Sequence, residues 1–234
     1  MTSSTTTASS TASSTASSTA KASSSSSSLL RKIQHWSGIA FSVFVSLHVM
    51  TTMYASLSPS QYDSVLNATR KWYRPSMAIE GLVVFAPLAL HMIANTLITL
   101  TTKKTESSPS SSSLWKKLHT YSGYALGGLV PLHIFGTRFM HSYAQEFASL
   151  NFVLEKEMGL VAGMSYFVLL LSAGVYHSLY GLNIALGYKM KRPLVLACIV
   201  GVLAAGYFGL LGFAGYLYPE MMVAVREKHS QFAH

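Results

Sequence analysis

Charge is what this sequence has least of. Only 11% of its 234 residues are Asp, Glu, Lys or Arg. They are missing altogether from residues 33–62, 81–102, 118–137, 158–188 and 193–219. Cysteine is almost absent too. The single Cys198 cannot form an intrachain disulfide, and its isolation excludes thiolate zinc and iron–sulfur sites. It reads as a small packing residue. No Asp or Glu lies inside the uncharged runs to complete a carboxylate metal site or a proton wire. There is no phosphate loop, dinucleotide fingerprint, carboxylate dyad or nucleophile–base pair from which to argue an enzyme.

What the chain has instead is apolar length. A bilayer-spanning helix needs ~20 apolar residues, and each run supplies them. The expectation is an all-α membrane protein with five transmembrane helices, near 36–57, 78–102, 118–140, 159–187 and 194–218. The formal charge of +9 gives no reason to expect nucleic acid as a partner, because it sorts by predicted side. The N-terminal side carries Lys21, Arg31, Lys32, Lys103, Lys104, Lys116, Lys117, Lys189, Lys191 and Arg192 against Glu106 alone, a net +9. The opposite, trans side balances seven basic with seven acidic residues. The positive-inside tendency then puts the N-terminus on the side of insertion, and basic loops favour anionic lipid.

Residues 1–28 are nearly all Ser, Thr and Ala, a composition expected to stay disordered. They contain no apolar core of a secretory signal. Their Ser-rich, acid-free character is that of a mitochondrial transit peptide, although no arginine precedes Arg31. A flexible linker is expected at 103–113, polar trans loops at 58–77 and 141–157, and a tail at 219–234. Asn67-Ala68-Thr69 matches a glycosylation acceptor. Aromatics near predicted helix ends, such as Trp36, Tyr54, Trp72, Trp115 and Tyr218, fit an interfacial belt. Gly206, Gly209, Gly212 and Gly215 recur every third residue, a smooth ridge for helix packing or dimerisation.

The chain repeats itself. At a shift of 85 residues, Lys32, Ser37, Gly38, Ala40, Val45, Leu47, His48 and Thr52 meet Lys117, Ser122, Gly123, Ala125, Val130, Leu132, His133 and Thr137. His91 meets His177 at a shift of 86. Two helical hairpins, 29–102 and 114–187, would therefore form a four-helix bundle, with a fifth helix in 188–218 added at its side.

Each of the first four spans carries one histidine: His48, His91, His133 and His177. Ionisable residues inside a membrane are costly and normally functional. Helices 1 and 3 run one way and helices 2 and 4 the other. His48 and His133 are therefore matched in depth on the trans side, and His91 and His177 near the N-terminal side. Two such imidazoles provide the axial ligation of a haem b iron, and two pairs provide for two haems. Ser37 and Ser122 lie three turns from His48 and His133 on the same face, leaving room for a macrocycle. Gly127, Gly128, Gly174 and Gly181 would do the same within two turns of their histidines. Pro87 and Pro131 would free carbonyls to orient the imidazoles. The alternatives are four packing histidines, relics of a haem-binding ancestor, a non-haem metal or a proton relay. His35, His119, His141, His229 and His234 read as interfacial or solvated. His119, aligned with Gln34, is also a candidate contact for a quinone head or a haem propionate. Arg31, Lys32, Lys116 and Lys117 could pair with propionates as well.

Gln34-x-x-Ser37-Gly38 followed by His48 resembles the first helix of the di-haem cytochrome b subunits of succinate:quinone and fumarate reductases. The resemblance covers about residues 30–218. The duplicated hairpin, Ser-rich tail and basic linker resemble more closely the fungal MCP-type mitochondrial outer-membrane proteins, whose transmembrane domain is distantly similar to those cytochromes. That resemblance implies a mitochondrial, outer-membrane location, a role in lipid homeostasis or organelle contact, and membrane lipids and a bridge-like lipid-transfer protein as partners. The family's Pro-x-Pro recruitment motif is absent, and no proline precedes Pro59. The cytochrome resemblance implies instead a membrane anchor passing electrons between a quinone and a soluble flavin or iron–sulfur partner.

Overall fold

The computed structural model describes residues 11–101, 113–139, 146–220 and 222–223, with side chains from residue 28 onward. All the regular structure among them is helical. Helix α1, Thr11–Met53, passes into a tight turn at Tyr54–Ser56. Then come α2, Pro59–Tyr73; α3, Met77–Thr101; α4, Leu114–Ile134; a short α5, Phe147–Phe152; α6, Leu160–Ala185; and α7, Arg192–Phe213.

Four helical stretches are long and apolar enough to cross a membrane: Ser28–Ser56, Met77–Thr101, Leu160–Ala185 and Arg192–Phe213. They mark the chain as a multi-pass membrane protein. Exposed apolar side chains such as Leu82, Leu100 and Val161 stud them, as lipid-facing residues do. The third expected span is helical as α4, but its first half (Lys116, Lys117, His119, Thr120, Ser122) is too polar to place it with those four.

Three expectations need revision. The segment 11–28, expected to be a disordered tail, continues α1 upstream; no glycine or proline interrupts it, and the apolar helix below templates it. The region 58–77 is not an open loop but holds the 15-residue α2. Ser58 caps it by accepting from the Gln61 N–H at 3.1 Å, and Pro59 sits in its first turn. The region 141–157 likewise contains α5, followed by a π turn at Val153–Glu157. The linker at 103–112 and the tail beyond 223 lie outside the described residues.

Helix α1 packs along α3, and α4 packs along α6. Helices α6 and α7 lie together, and α1 touches both. The glycine ridge of α7 is used inside the chain. A Cβ on Gly209 would fall 2.5 Å from the Thr52 carbonyl oxygen, and one on Gly212 would strike the Ala55 carbonyl. Only glycine lets these two backbones approach so closely. At the trans end α2 and α5 cap the helices. The Tyr62 ring stands edge-on to Phe213 at 4.8 Å, beside Phe147, Leu66 and Leu210. Asp63 accepts the Phe147 N–H at 2.8 Å, and Asn151 donates to the Phe213 carbonyl at 2.7 Å, so the cap leaves these polar groups satisfied.

Two π turns bend the helices near their histidines. Gly81–Phe85 precedes Pro87, which offers no N–H to the carbonyl of Val83. Phe135–Phe139 follows Pro131 and His133.

Candidate functional site

The structure brings the four span histidines together as two facing pairs. The rings of His48 on α1 and His133 on α4 have centroids 5.9 Å apart, at 65° to each other. Those of His91 on α3 and His177 on α6 are 6.3 Å apart, at 78°. The helices carrying each pair, α1 with α4 and α3 with α6, are not in extended main-chain contact among the described residues, so the rings meet across a gap.

The pair nearer the N-terminal side is built from the duplication. The His91 Nδ1 lies 3.0 Å from the Gln34 carbonyl oxygen, and the His177 Nδ1 lies 3.1 Å from that of His119. A carbonyl oxygen only accepts, so each Nδ1 carries the proton and donates it. In the neutral ring this leaves the Nε2 lone pair free to bind a metal. Gln34 and His119 are equivalent in the repeat. So are Gly38 and Gly123, which hold the rings in place. A Cβ on Gly38 would lie 2.9 Å from the His91 Nδ1, and one on Gly123 would lie 2.9 Å from the His177 Cε1. Ser122 donates to the His119 carbonyl at 2.9 Å, with its oxygen 3.4 Å from the His177 Nδ1. Ser37 is buried and donates to the Ile33 carbonyl at 2.6 Å. Both serines therefore settle the carbonyl ladder beneath the second-helix histidines.

The trans pair is held differently. Phe44 stacks on His48 at 5.7 Å, and Phe167 meets His133 edge-on at 5.9 Å. The His133 Nδ1 is buried without a hydrogen-bond partner. Among the described residues no main-chain carbonyl meets that nitrogen, and ring packing is what holds His133 there.

Several details depart from the sequence expectations. The carbonyl that orients His91 comes from Gln34 on the neighbouring helix, not from the turn opened by Pro87, and the His133 Nδ1 meets no carbonyl freed by Pro131. Gly127, Gly128 and Gly174 border open space, which leaves their expected role untouched, whereas Gly181 makes room for His119. His119 itself is not solvated: it stacks on His177 at 4.2 Å and 12°. His35 is exposed and lies edge-on to Trp36. His141, His229 and His234 fall outside the described residues.

Sequence reasoning also missed Glu80. It is buried at the start of α3 and bound by Arg138 at 3.1 Å and Arg74 at 3.5 Å. Arg74 closes α2 and Arg138 follows α4, so one carboxylate ties the trans ends of both hairpins. Glu80 fell at the start of the predicted span 78–102, near Arg70, Lys71 and Arg74, but pairing could not be read without the fold.

The paired histidines are well matched to a metal between them. An imidazole nitrogen sits ~2 Å from a first-row ion, and its ring centre lies a further ~1.2 Å away. Two rings joined through one ion then have centroids roughly 6.4 Å apart. Both pairs stand near that separation before any group is placed between them. Among the described residues no group of three or more His, Cys, Asp or Glu is arranged to hold an ion. No family model, curated protein or solved structure matches the chain.

Proposed function

We propose that this chain is a five-span membrane protein built around two bis-histidine haem b sites, with α4 as the third span in a four-helix bundle and α7 at its side. His48 and His133 would hold one iron, and His91 and His177 the other. The observation that carries this reading is the repeat-equivalent pair of Nδ1–H···O=C bonds. Each fixes the Nδ1–H tautomer of a second-helix imidazole and leaves its Nε2 free, as an outer partner normally does for a histidine ligand. A bound haem b supplies one-electron redox chemistry.

The protein's own part is to hold and insulate. Gly38 and Gly123 set the ring positions, Gln34 and His119 set the tautomers, and Phe44 and Phe167 exclude water from the trans pair. For the cell, the resemblance to MCP-type proteins favours a mitochondrial, outer-membrane protein of lipid homeostasis or organelle contact. Its partners would be membrane lipids and a lipid-transfer or contact-site protein.

A second reading is an electron-transfer subunit linking quinone to a flavin or iron–sulfur protein. One observation favours it. Along α1 the two pairs lie 10–14 residues apart, about 15–21 Å at the helical rise, with one near each membrane face.

Replacing His48 or His133 with Ala should remove one haem per chain and spare the other, read by pyridine haemochrome assay. Loss of both, or of neither, contradicts the pairing. Deleting the gene separates the cellular roles: disturbed mitochondrial lipids with normal respiration support the first, and a quinone-linked respiratory defect supports the second.

A further inference from the structure

We propose that His119 is a positioning residue whose ring locks the plane of the His177 imidazole, making His177 the rigid member and His91 the freer member of their pair. This rests on the haem reading above.

The two hairpins fill one place in two ways. In the first, the Gln34 Nε2 donates to the Asn95 Oδ1 at 2.9 Å. Gln34 also supplies the carbonyl that His91 meets, and Asn95 follows His91 by four residues. In the second hairpin the repeat puts His119 in place of Gln34 and Gly181 in place of Asn95. The missing side chain at 181 leaves a notch. A Cβ there would lie 3.0 Å from the His119 Cε1, closer than a methyl group and a ring normally approach. Seated in the notch, His119 lies flat on His177, with centroids 4.2 Å apart and planes 12° apart. The buried Tyr180 ring meets His119 at 5.5 Å.

The flat contact adds what the hydrogen bond lacks. The bond from the His177 Nδ1 to the His119 carbonyl, at 3.1 Å, fixes one direction in the ring and lets the ring rock about that line. A parallel ring against its face removes the rocking, as packing does for a well-supported ligand. His91 has the equivalent bond to Gln34, but among the described residues no ring stacks on it in parallel. The His119 Nδ1 is buried without a hydrogen-bond partner. Burying a polar atom unpaired is costly, and Gln34 avoids that cost at the equivalent position by bonding Asn95. What His119 contributes in return is the ring face it presents to His177.

The test uses the full-length, haem-loaded protein and the electron paramagnetic resonance spectrum of its ferric form, with haem retained per chain read alongside. In a low-spin ferric haem the largest g value follows the angle between the two axial imidazole planes. His119→Ala should move the signal of one haem, leave the other in place, and loosen retention of the first by roughly tenfold. His119→Phe keeps a flat ring without nitrogen and should stay close to the parent. His119→Gln combined with Gly181→Asn installs the arrangement of the first hairpin. It should recover the parent's unfolding temperature and still show the moved signal, which separates locking from mere filling of space. Unmoved signals in His119→Ala overturn the proposal and leave the haem reading standing. A phenylalanine variant that shifts as alanine does also overturns it, because a nitrogen and not the ring face is then at work. If the alanine variant does not fold, the double variant decides, and a parent-like signal from it overturns the proposal. A parent that takes up no haem overturns the haem reading and the lock with it.

Discussion

Replacing Gly38 with Ala tests whether the glycines position the histidines. The new Cβ would lie 2.9 Å from the His91 Nδ1 and 3.0 Å from its Cε1. Carbon contacts are comfortable only from about 3.5 Å, so the ring must retreat by roughly half an ångström. The 3.0 Å hydrogen bond to Gln34 then approaches the limit at which it still counts. Loss of that bond costs about 1 kcal/mol and overpacking about 1–3 kcal/mol, while alanine returns up to ~1 kcal/mol as a better helix former. The net expectation is destabilisation by about 1–3 kcal/mol. Gly123→Ala should match it, because a Cβ there meets His177 at the same distance. Gly127→Ala and Gly128→Ala are the controls: nothing lies within 4 Å of either Cβ, so stability should hold or rise slightly. The assay is thermal unfolding in detergent, with Soret absorbance per chain read alongside. If Gly38→Ala behaves like Gly127→Ala in both, the ring is not held as described.

Gly212→Ala on α7 should be worse than Gly38→Ala, costing more than about 3 kcal/mol, because its neighbour is the Ala55 carbonyl and backbone cannot swing aside; expression and unfolding temperature report it. Glu80→Gln leaves Arg74 and Arg138 without their counter-ion, and should cost about 1–3 kcal/mol, moderated because both arginines reach solvent; a variant as stable as the parent would show that the ion pairs do not brace the hairpins. Burial pushes the Asp63 carboxyl above its usual range, against the downward pull of the Phe147 N–H. The folded chain therefore binds that proton more tightly than the unfolded one. This group's contribution improves as pH falls through its folded pKa and is unfavourable above it. Asp63→Asn keeps an acceptor for Phe147 and should raise stability at neutral pH, with the gain shrinking in acid; destabilisation at neutral pH contradicts this.

The helical spans were legible because uncharged runs of spanning length leave few alternatives. The duplication was legible as well, and the histidines it paired are the ones whose rings face each other. What could not be read was which groups touch the rings. The repeat aligned Ser37-Gly38 with Ser122-Gly123, yet these residues serve His91 and His177 rather than the histidines on their own helices. Sequence periodicity reports one helix face, while contact across a hairpin depends on how two helices cross. Helix α2 was not legible from polarity, because its polar composition is that of a loop. Ser58-Pro59 is a helix start, and Pro59, Tyr62, Leu66, Thr69 and Tyr73 fall at helical spacing. The placement of α4 shows the opposite limit. Its polar first half makes contacts within its own hairpin, which hydropathy does not weigh.

The central claim is that the facing histidines hold iron. The most direct measurement is a dithionite-reduced minus oxidised visible spectrum of the purified full-length protein from a haem-replete host, with haemochrome stoichiometry. The account predicts a sharp low-spin b-type band and two haems per chain. A featureless spectrum with no haem would contradict it and leave His48, His91, His133 and His177 as packing residues.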